Sequence, residues 1–245
     1  MITKTLVVGA SGATGRHLVE QLLNRGQKVK IVVRSPNNLS EVIKNHKKLS
    51  IVHNSILNLR DNDMTQLVKD CDAVASCLGH NMTFKGILGH PRRLVTDATS
   101  RLCNAIKVNK AKKPIKYVLM NTIANSNRDL SEPVIFKEKL FTALLRLMMP
   151  PHVDNESAAD YLRRTIGQND KNIEWAAVRP SGLIDENNVS GYDVYATRTG
   201  KAIFDSGKIS RINVGHFMAD LITEDIIWNK WKGQMPVLYN QSISG

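Results

Sequence analysis

The sequence predicts an α/β fold, a doubly wound parallel sheet built as one domain. Three observations lead there. Short runs rich in Val and Ile alternate with segments of helical periodicity, the pattern of a parallel sheet covered by helices on both faces. The apolar run Leu6-Val7-Val8 ends at Gly9, and Gly12, Gly15 and a helix-like pattern follow at once. The chain has 245 residues, 42% of them apolar, with no repeat or low-complexity linker to divide it, so one large core is expected.

Each element has its own signal. The first strand is expected at residues 5–8. A helix over about 13–25 follows, with Leu18, Val19, Leu22 and Leu23 at core spacing and Gly26 closing it. The second strand is 29–33. Pro36 and Asn37 open a short helix at 39–45, and 49–53 is the third strand. Asp61 or Asn62 can cap a short helix ending at Val68. The fourth strand, 73–77, runs into Leu78-Gly79. A long helix is expected over 91–108, with Pro91 suited to its first turn and Leu94, Ala98, Leu102, Ala105 and Ile106 as its buried stripe. The fifth strand is 117–120. Asp154 reads as the N-cap of a helix over 155–166. Residues 175–178 form the sixth strand, stopped by Arg179-Pro180. A short strand at 209–212, a helix from Asn213 or Gly215 to Ile222, and a last strand at 235–239 complete the chain.

The strand–turn–helix at Gly9-Ala10-Ser11-Gly12-Ala13-Thr14-Gly15 carries the functional signal. Such a turn aims backbone N–H groups and the positive end of a helix dipole at one spot, which suits a pyrophosphate. Gly9 permits the tight turn, Gly12 lets the backbone approach the phosphate, and Gly15 lets the helix pack closely. A whole strand–helix–strand unit fits within about thirty residues, so the fold is expected to be Rossmann-like and to bind a dinucleotide. Where an acidic residue would bind the ribose 2′-hydroxyl, the second strand ends in Arg34-Ser35, and no carboxylate follows until Glu41. A guanidinium and a hydroxyl suit a 2′-phosphate, so NADP(H) is expected over NAD(H).

Composition narrows the classes. No apolar run reaches the roughly 18 residues of a membrane-spanning helix. Met1 leads almost directly into the first strand, leaving no room for a signal peptide. Cys71, Cys77 and Cys103 lack metal-ligand spacing and lie in apolar contexts, so they are expected as reduced core residues, with no metal site. A cytoplasmic protein fits these features. The net charge of +12 raises nucleic-acid binding, but the lysine clusters at 44–48 and 107–116 carry no interleaved aromatics, and a solvated basic surface is the plainer reading. That field would also attract a polyanionic cofactor.

Two stretches exceed a minimal core, and both follow strands whose C-terminal ends should hold a ligand. Residues 133–151 carry a wide stripe that includes Phe136, Leu140, Phe141, Leu144 and Met148. Residues 185–207 are polar and glycine-bearing. Both are read as substrate-side insertions of the single domain. The first stripe serves equally well as core, as a homodimer contact or as a protein docking face.

With these motifs in view, the chain resembles the atypical short-chain dehydrogenase/reductase group, most closely the NAD(P)H-binding proteins related to NmrA-like regulators and to biliverdin reductase B, a flavin reductase. The likeness rests on Gly9 to Gly15, Val33-Arg34, Asp72-Ala73-Val74 with Leu78-Gly79, Val178-Arg179-Pro180, and Val214-Gly215-His216-Phe217-Met218. It implies that Ser11, Ala13 and Thr14 help cradle the pyrophosphate and that Arg34 and Ser35 meet the 2′-phosphate. It implies that Leu78 and Gly79 line the ribose, that Asn121 and Thr122 face the nicotinamide, and that Pro180, Leu183 and Ile184 cover it. Where relatives have Gly-Asp after the third strand, this chain has Asn54-Ser55-Ile56, so Ser55 and Ile56 are left to meet the adenine.

The Tyr-x-x-x-Lys pair of ordinary short-chain dehydrogenases is missing at all five tyrosines. His152 and Glu156 stand near the expected register, His152 as proton donor with Glu156 favouring its charged form, and Thr122 is a third catalytic candidate. His80, His90 and His216 are further candidates. Hydride transfer to a flavin, quinone or tetrapyrrole can also draw its proton from water, because the cofactor carries the chemistry. The expected activity is an NADPH-dependent reduction of such a small-molecule acceptor. The alternative is a non-catalytic NADP(H)-binding regulator or assembly protein.

Overall fold

The computed structural model describes residues 2–80, 90–130, 150–199 and 207–241. Its strands are β1 (Lys4–Val8), β2 (Lys28–Val33), β3 (Leu49–His53), β4 (Ala73–Ser76), β5 (Ile115–Met120), β6 (Ile173–Pro180), β7 (Gly182–Ile184), β8 (Tyr192–Tyr195), β9 (Lys208–Ser210) and β10 (Val237–Asn240). Its helices are α1 (Gly15–Asn24), α2 (Glu41–Lys44), α3 (Asp61–Val68), α4 (Leu94–Asn109), α5 (Pro150–Asp160), α6 (Arg211–Thr223) and α7 (Asp225–Trp231). The apolar stripe of 136–149 lies outside the described residues, as does most of the 133–151 insertion.

Eight strands form one sheet in the order β3-β2-β1-β4-β5-β6-β10-β8, and β7 pairs with β9 in a small second sheet. The large sheet is parallel except for β8, which runs antiparallel to β10. Strand order reverses between β1 and β4. That switch point opens the crevice in which such sheets bind ligands. The pleat sends successive side chains to opposite faces. Leu6 and Val8 join a core with α3, α4 and α5, whereas Val7 joins a core with α1, α6 and α7. The expected doubly wound sheet is therefore present.

Several elements differ from the sequence reading. Pro91 lies ahead of α4, which begins at Leu94, so Pro91 is not a first-turn residue. Asp154 is not an N-cap of its own helix. The helix already includes Pro150 and Pro151, so Asp154 lies inside it. The polar stretch after Asp185 contributes β8, an edge strand, and α7 is an additional helix that buries Trp228 and Trp231. The three cysteines are buried and free, and burial pushes the Cys77 thiol up to about 12.

Candidate functional site

The C-terminal ends of β1, β4, β5 and β6 lie in a row along one edge of the sheet. Gly9 leaves β1 with φ +74°, and a Cβ there would lie 2.5 Å from the Cys77 carbonyl carbon and oxygen. The loop after β1 thus presses against the backbone leaving β4. The Gly12 N–H donates to the Gly9 carbonyl at 3.0 Å. A Cβ on Gly15 would lie 2.1 Å from that same oxygen. The third glycine therefore lets α1 start directly over the loop's own carbonyl. Gly12 and Ala13 form the exposed rim. Thr14 is buried at the N-cap position but its side chain makes no capping bond, and the first turn of α1 holds no acidic residue. The first turn itself therefore contributes no carboxylate to neutralise the helix's positive end.

Ser11 is half-buried, and its carbonyl accepts from Asn38 Nδ2 at 3.4 Å, which ties the loop to the segment after β2. Arg34 and Ser35 are exposed at the end of β2, and the Ser35 hydroxyl accepts from the Asn37 N–H at 3.3 Å. Ser55 is half-buried after β3, and Ile56 is buried beside it. Leu78 is half-buried and Gly79 exposed, with open space where a Gly79 side chain would stand.

The β5 end is tied into the fold by side-chain bonds. Asn121 is buried, and Nδ2 donates to the Asn155 carbonyl at 2.8 Å. Its Oδ1 accepts from the Thr122 N–H at 2.8 Å and Asn125 Nδ2 at 3.2 Å. The side chain thus locks β5 to α5. The Thr122 hydroxyl accepts from the Ala124 N–H at 3.3 Å. Pro180 is buried at the end of β6 and its carbonyl accepts from the Ile123 N–H, while Leu183 and Ile184 are half-buried on β7.

His152 and Glu156 are buried one turn apart on α5, with Nε2 to Oε1 at 3.7 Å, and Arg128 approaches the same carboxylate at 3.9 Å. The Asn121–Asn155 bond brings this helix face to the end of β5. His216 instead sits in a bracing network. Its Nδ1 is 2.8 Å from the Tyr192 hydroxyl and 3.2 Å from Asp220, which pairs with Arg25 at 2.7 Å. Burial and the Asp220 charge raise the Tyr192 phenol well above its ordinary value. His90 is exposed.

Two tertiary arrangements were not legible in the sequence, the pairing of the candidate His80 with Asp154 and the buried bonds of Arg179. His80, just past Gly79, places Nε2 2.8 Å from Asp154 Oδ2, and both side chains are buried. Arg179 is fully buried on β6 and donates to the carbonyls of Met235, Asn125 and Ala196. The Arg-Pro pair ending an apolar strand was the only signal for it. Among the described residues no three His, Cys, Asp or Glu side chains converge as metal ligands, and no helix is long and apolar enough to cross a membrane.

Residues 9–225 match the model of a family described as NAD(P)H-binding. The chain is 27% identical over 180 residues to an uncharacterised chloroplastic protein of Arabidopsis thaliana, covering 74% of this chain and 59% of that protein's length. A short-chain dehydrogenase/reductase of Veillonella parvula, solved in complex with NADP, superposes with a TM-score of 0.69 at 14% identity, covering 99% of this chain and 96% of that one. The oxidoreductase ylbE of Lactococcus lactis superposes with a TM-score of 0.68 at 15% identity, over 98% and 91% of the two chains. At these identities the superpositions speak for the fold.

Proposed function

The chain belongs to the NAD(P)H-binding family, and on that premise we propose that it is an NADPH-dependent reductase of a conjugated acceptor such as a flavin, quinone or tetrapyrrole. The observation that carries the reading is the start of α1: exposed Gly12 and Ala13, no capping side chain, no acidic first turn, and a loop too close-packed for any residue but glycine at Gly9 and Gly15. A pyrophosphate fits that chemistry. Arg34 and Ser35, exposed at the end of β2, would hold a 2′-phosphate, and no acidic residue follows them in sequence before Glu41. The NADP-bound short-chain dehydrogenase/reductase of Veillonella parvula adds support for the phosphorylated cofactor.

In this reading Ser55 and Ile56 border the adenine, Leu78 and Gly79 the ribose, and Asn121, Thr122, Pro180, Leu183 and Ile184 the nicotinamide. A bound NADPH supplies the hydride. Asn121, held by Asn155, fixes the wall beside it. His152 would hold the proton that the reduced acceptor takes, with Glu156 favouring its charged form.

Loss of nicotinamide absorbance with purified protein, NADPH and each acceptor class in turn is the test. Turnover with one class, reduced at least about tenfold by His152→Asn at unchanged NADPH affinity, is the expected result. NADPH binding without turnover on any acceptor would favour the non-catalytic regulator instead.

A further inference from the structure

The parallel strands enter the sheet from the edge opposite the glycine loop, and that edge carries a row of lysines. Along the order β3-β2-β1-β4-β5-β6, each strand is begun or closely preceded by a lysine: Lys48, Lys28, Lys4, Lys69, Lys112 and Lys171. All but Lys4 are exposed, and Lys4 is half-buried. At a strand spacing of about 4.8 Å they make a row on the order of 24 Å long. The segments leading into these strands, residues 2–4, 25–28, 45–48, 69–72, 110–116 and 167–174, hold eleven Lys and Arg against four Asp and Glu, a surplus of seven that the pairing of Arg25 with Asp220 and of Lys116 with Asp225 reduces to five. Between β1, β2 and β3 the lysines line a hollow of about 280 Å³. Lys4 and Lys48 donate there to main-chain carbonyls, which leaves their charge intact.

The same edge exposes large aliphatic side chains. Ile2, two residues ahead of β1, is 61% exposed. Val108, in the last turn of α4 before β5, is 66% exposed, and Ile226 on α7 is 84% exposed. Ile226 belongs to this edge because its neighbour Asp225 pairs at 3.0 Å with Lys116 at the start of β5. Lysines interleaved with exposed aliphatic residues suit the boundary of headgroups and acyl chains in an anionic membrane. A single-stranded nucleic acid would call for aromatic platforms, and the exposed large side chains here are aliphatic.

We infer that this edge docks on an anionic lipid bilayer, with the lysine row on the headgroups and Ile226, Val108 and Ile2 entering the boundary beneath them. The glycine loop and the ends of β5 and β6 then face away from the membrane, open to cofactor and substrate. The inference does not depend on the proposed reductase activity.

The test is co-sedimentation of the full chain with phosphatidylcholine vesicles, with and without phosphatidylserine, at low and high salt. Two variants accompany it: the triple exchange Lys28→Gln, Lys69→Gln, Lys112→Gln, and Ile226→Ser alone. The wild type is expected to sediment with phosphatidylserine vesicles at low salt and to be released by high salt. Each lysine near such a surface contributes about fivefold, so the triple variant should bind about a hundredfold more weakly. Ile226→Ser should lose several-fold. Both variants should keep the wild-type circular dichroism spectrum and NADPH titration. Absence of sedimentation at low salt, or wild-type sedimentation by the triple variant, overturns the inference. So does tighter binding to duplex DNA or RNA that Ile226→Ser leaves unchanged, since that assigns the row to nucleic acid.

Discussion

The Asp154 carboxylate caps a helix that begins 60 residues before it: Oδ2 accepts the Val95 N–H at 2.8 Å, and Oδ1 accepts the Thr96 N–H at 2.9 Å. His80 reaches the same carboxylate at 2.8 Å, and the Thr96 hydroxyl donates to the Asp154 carbonyl at 2.9 Å. One buried residue of α5 therefore joins the segment after β4, the start of α4 and, through neighbouring Asn155, the end of β5. Asp154→Ala would leave buried donors without an acceptor and is expected to lower the unfolding free energy by about 3 kcal/mol. Asp154→Asn keeps an acceptor oxygen and should lose less. Urea denaturation of both variants measures the difference, and equal losses would show that the oxygen is not what matters.

The contrast between Gly15 and Gly79 gives a second prediction. A methyl at Gly15 would meet the Gly9 carbonyl oxygen at 2.1 Å, a backbone atom that cannot move aside without unwinding the start of α1. Gly15→Ala should therefore cost about 2 kcal/mol or more and weaken NADPH binding at least about tenfold. At Gly79 there is open space, so Gly79→Ala should change stability by less than about 0.5 kcal/mol. Thermal melts with and without NADPH separate the two cases.

Acid stability depends on carboxylates braced at the start of β6. Burial alone would push the Glu174 carboxyl up. Bonds from Lys232 at 2.9 Å and Trp228 Nε1 at 2.6 Å outweigh burial and hold it below its ordinary value near 4.5. Asp170 is likewise lowered despite burial, by Lys107 at 2.7 Å and the Asn172 N–H. Both folded values lie below the unfolded ones, so the unfolded chain binds more protons as pH falls. The stabilisation is present above the unfolded values and is lost as pH drops through the folded ones. Glu174→Gln should destabilise near neutral pH and cost progressively less below about 4.5. A cost independent of pH would assign the effect to packing.

The β1–α1–β2 unit was legible because its signals are local: an apolar strand, glycines at a turn, and Leu18, Val19, Leu22 and Leu23 on one helix face. The same holds for β3 and the stripe of α4. Asp154 was misread because a capping residue and its helix are normally adjacent, and here the capped helix lies earlier in the chain. Strand β8 was unread because Tyr192 to Tyr195 are half-buried or exposed edge residues, so no buried alternation marks them. The role of Asn121 in tying β5 to α5 was unread. Its bonds to Asn155, Thr122 and Asn125 are tertiary contacts that no local pattern records.

The most direct measurement of the central claim is a titration of the purified protein with NADPH and with NADH, followed by nicotinamide fluorescence and repeated with Arg34→Asp. Tighter binding of NADPH than of NADH is expected, with a selective loss of about tenfold or more for NADPH in the variant, because a carboxylate would then face the 2′-phosphate. Equal affinity for the two nucleotides, unchanged in Arg34→Asp, would contradict the assignment of the β2 end to the 2′-phosphate. No binding of either would contradict the cofactor site itself.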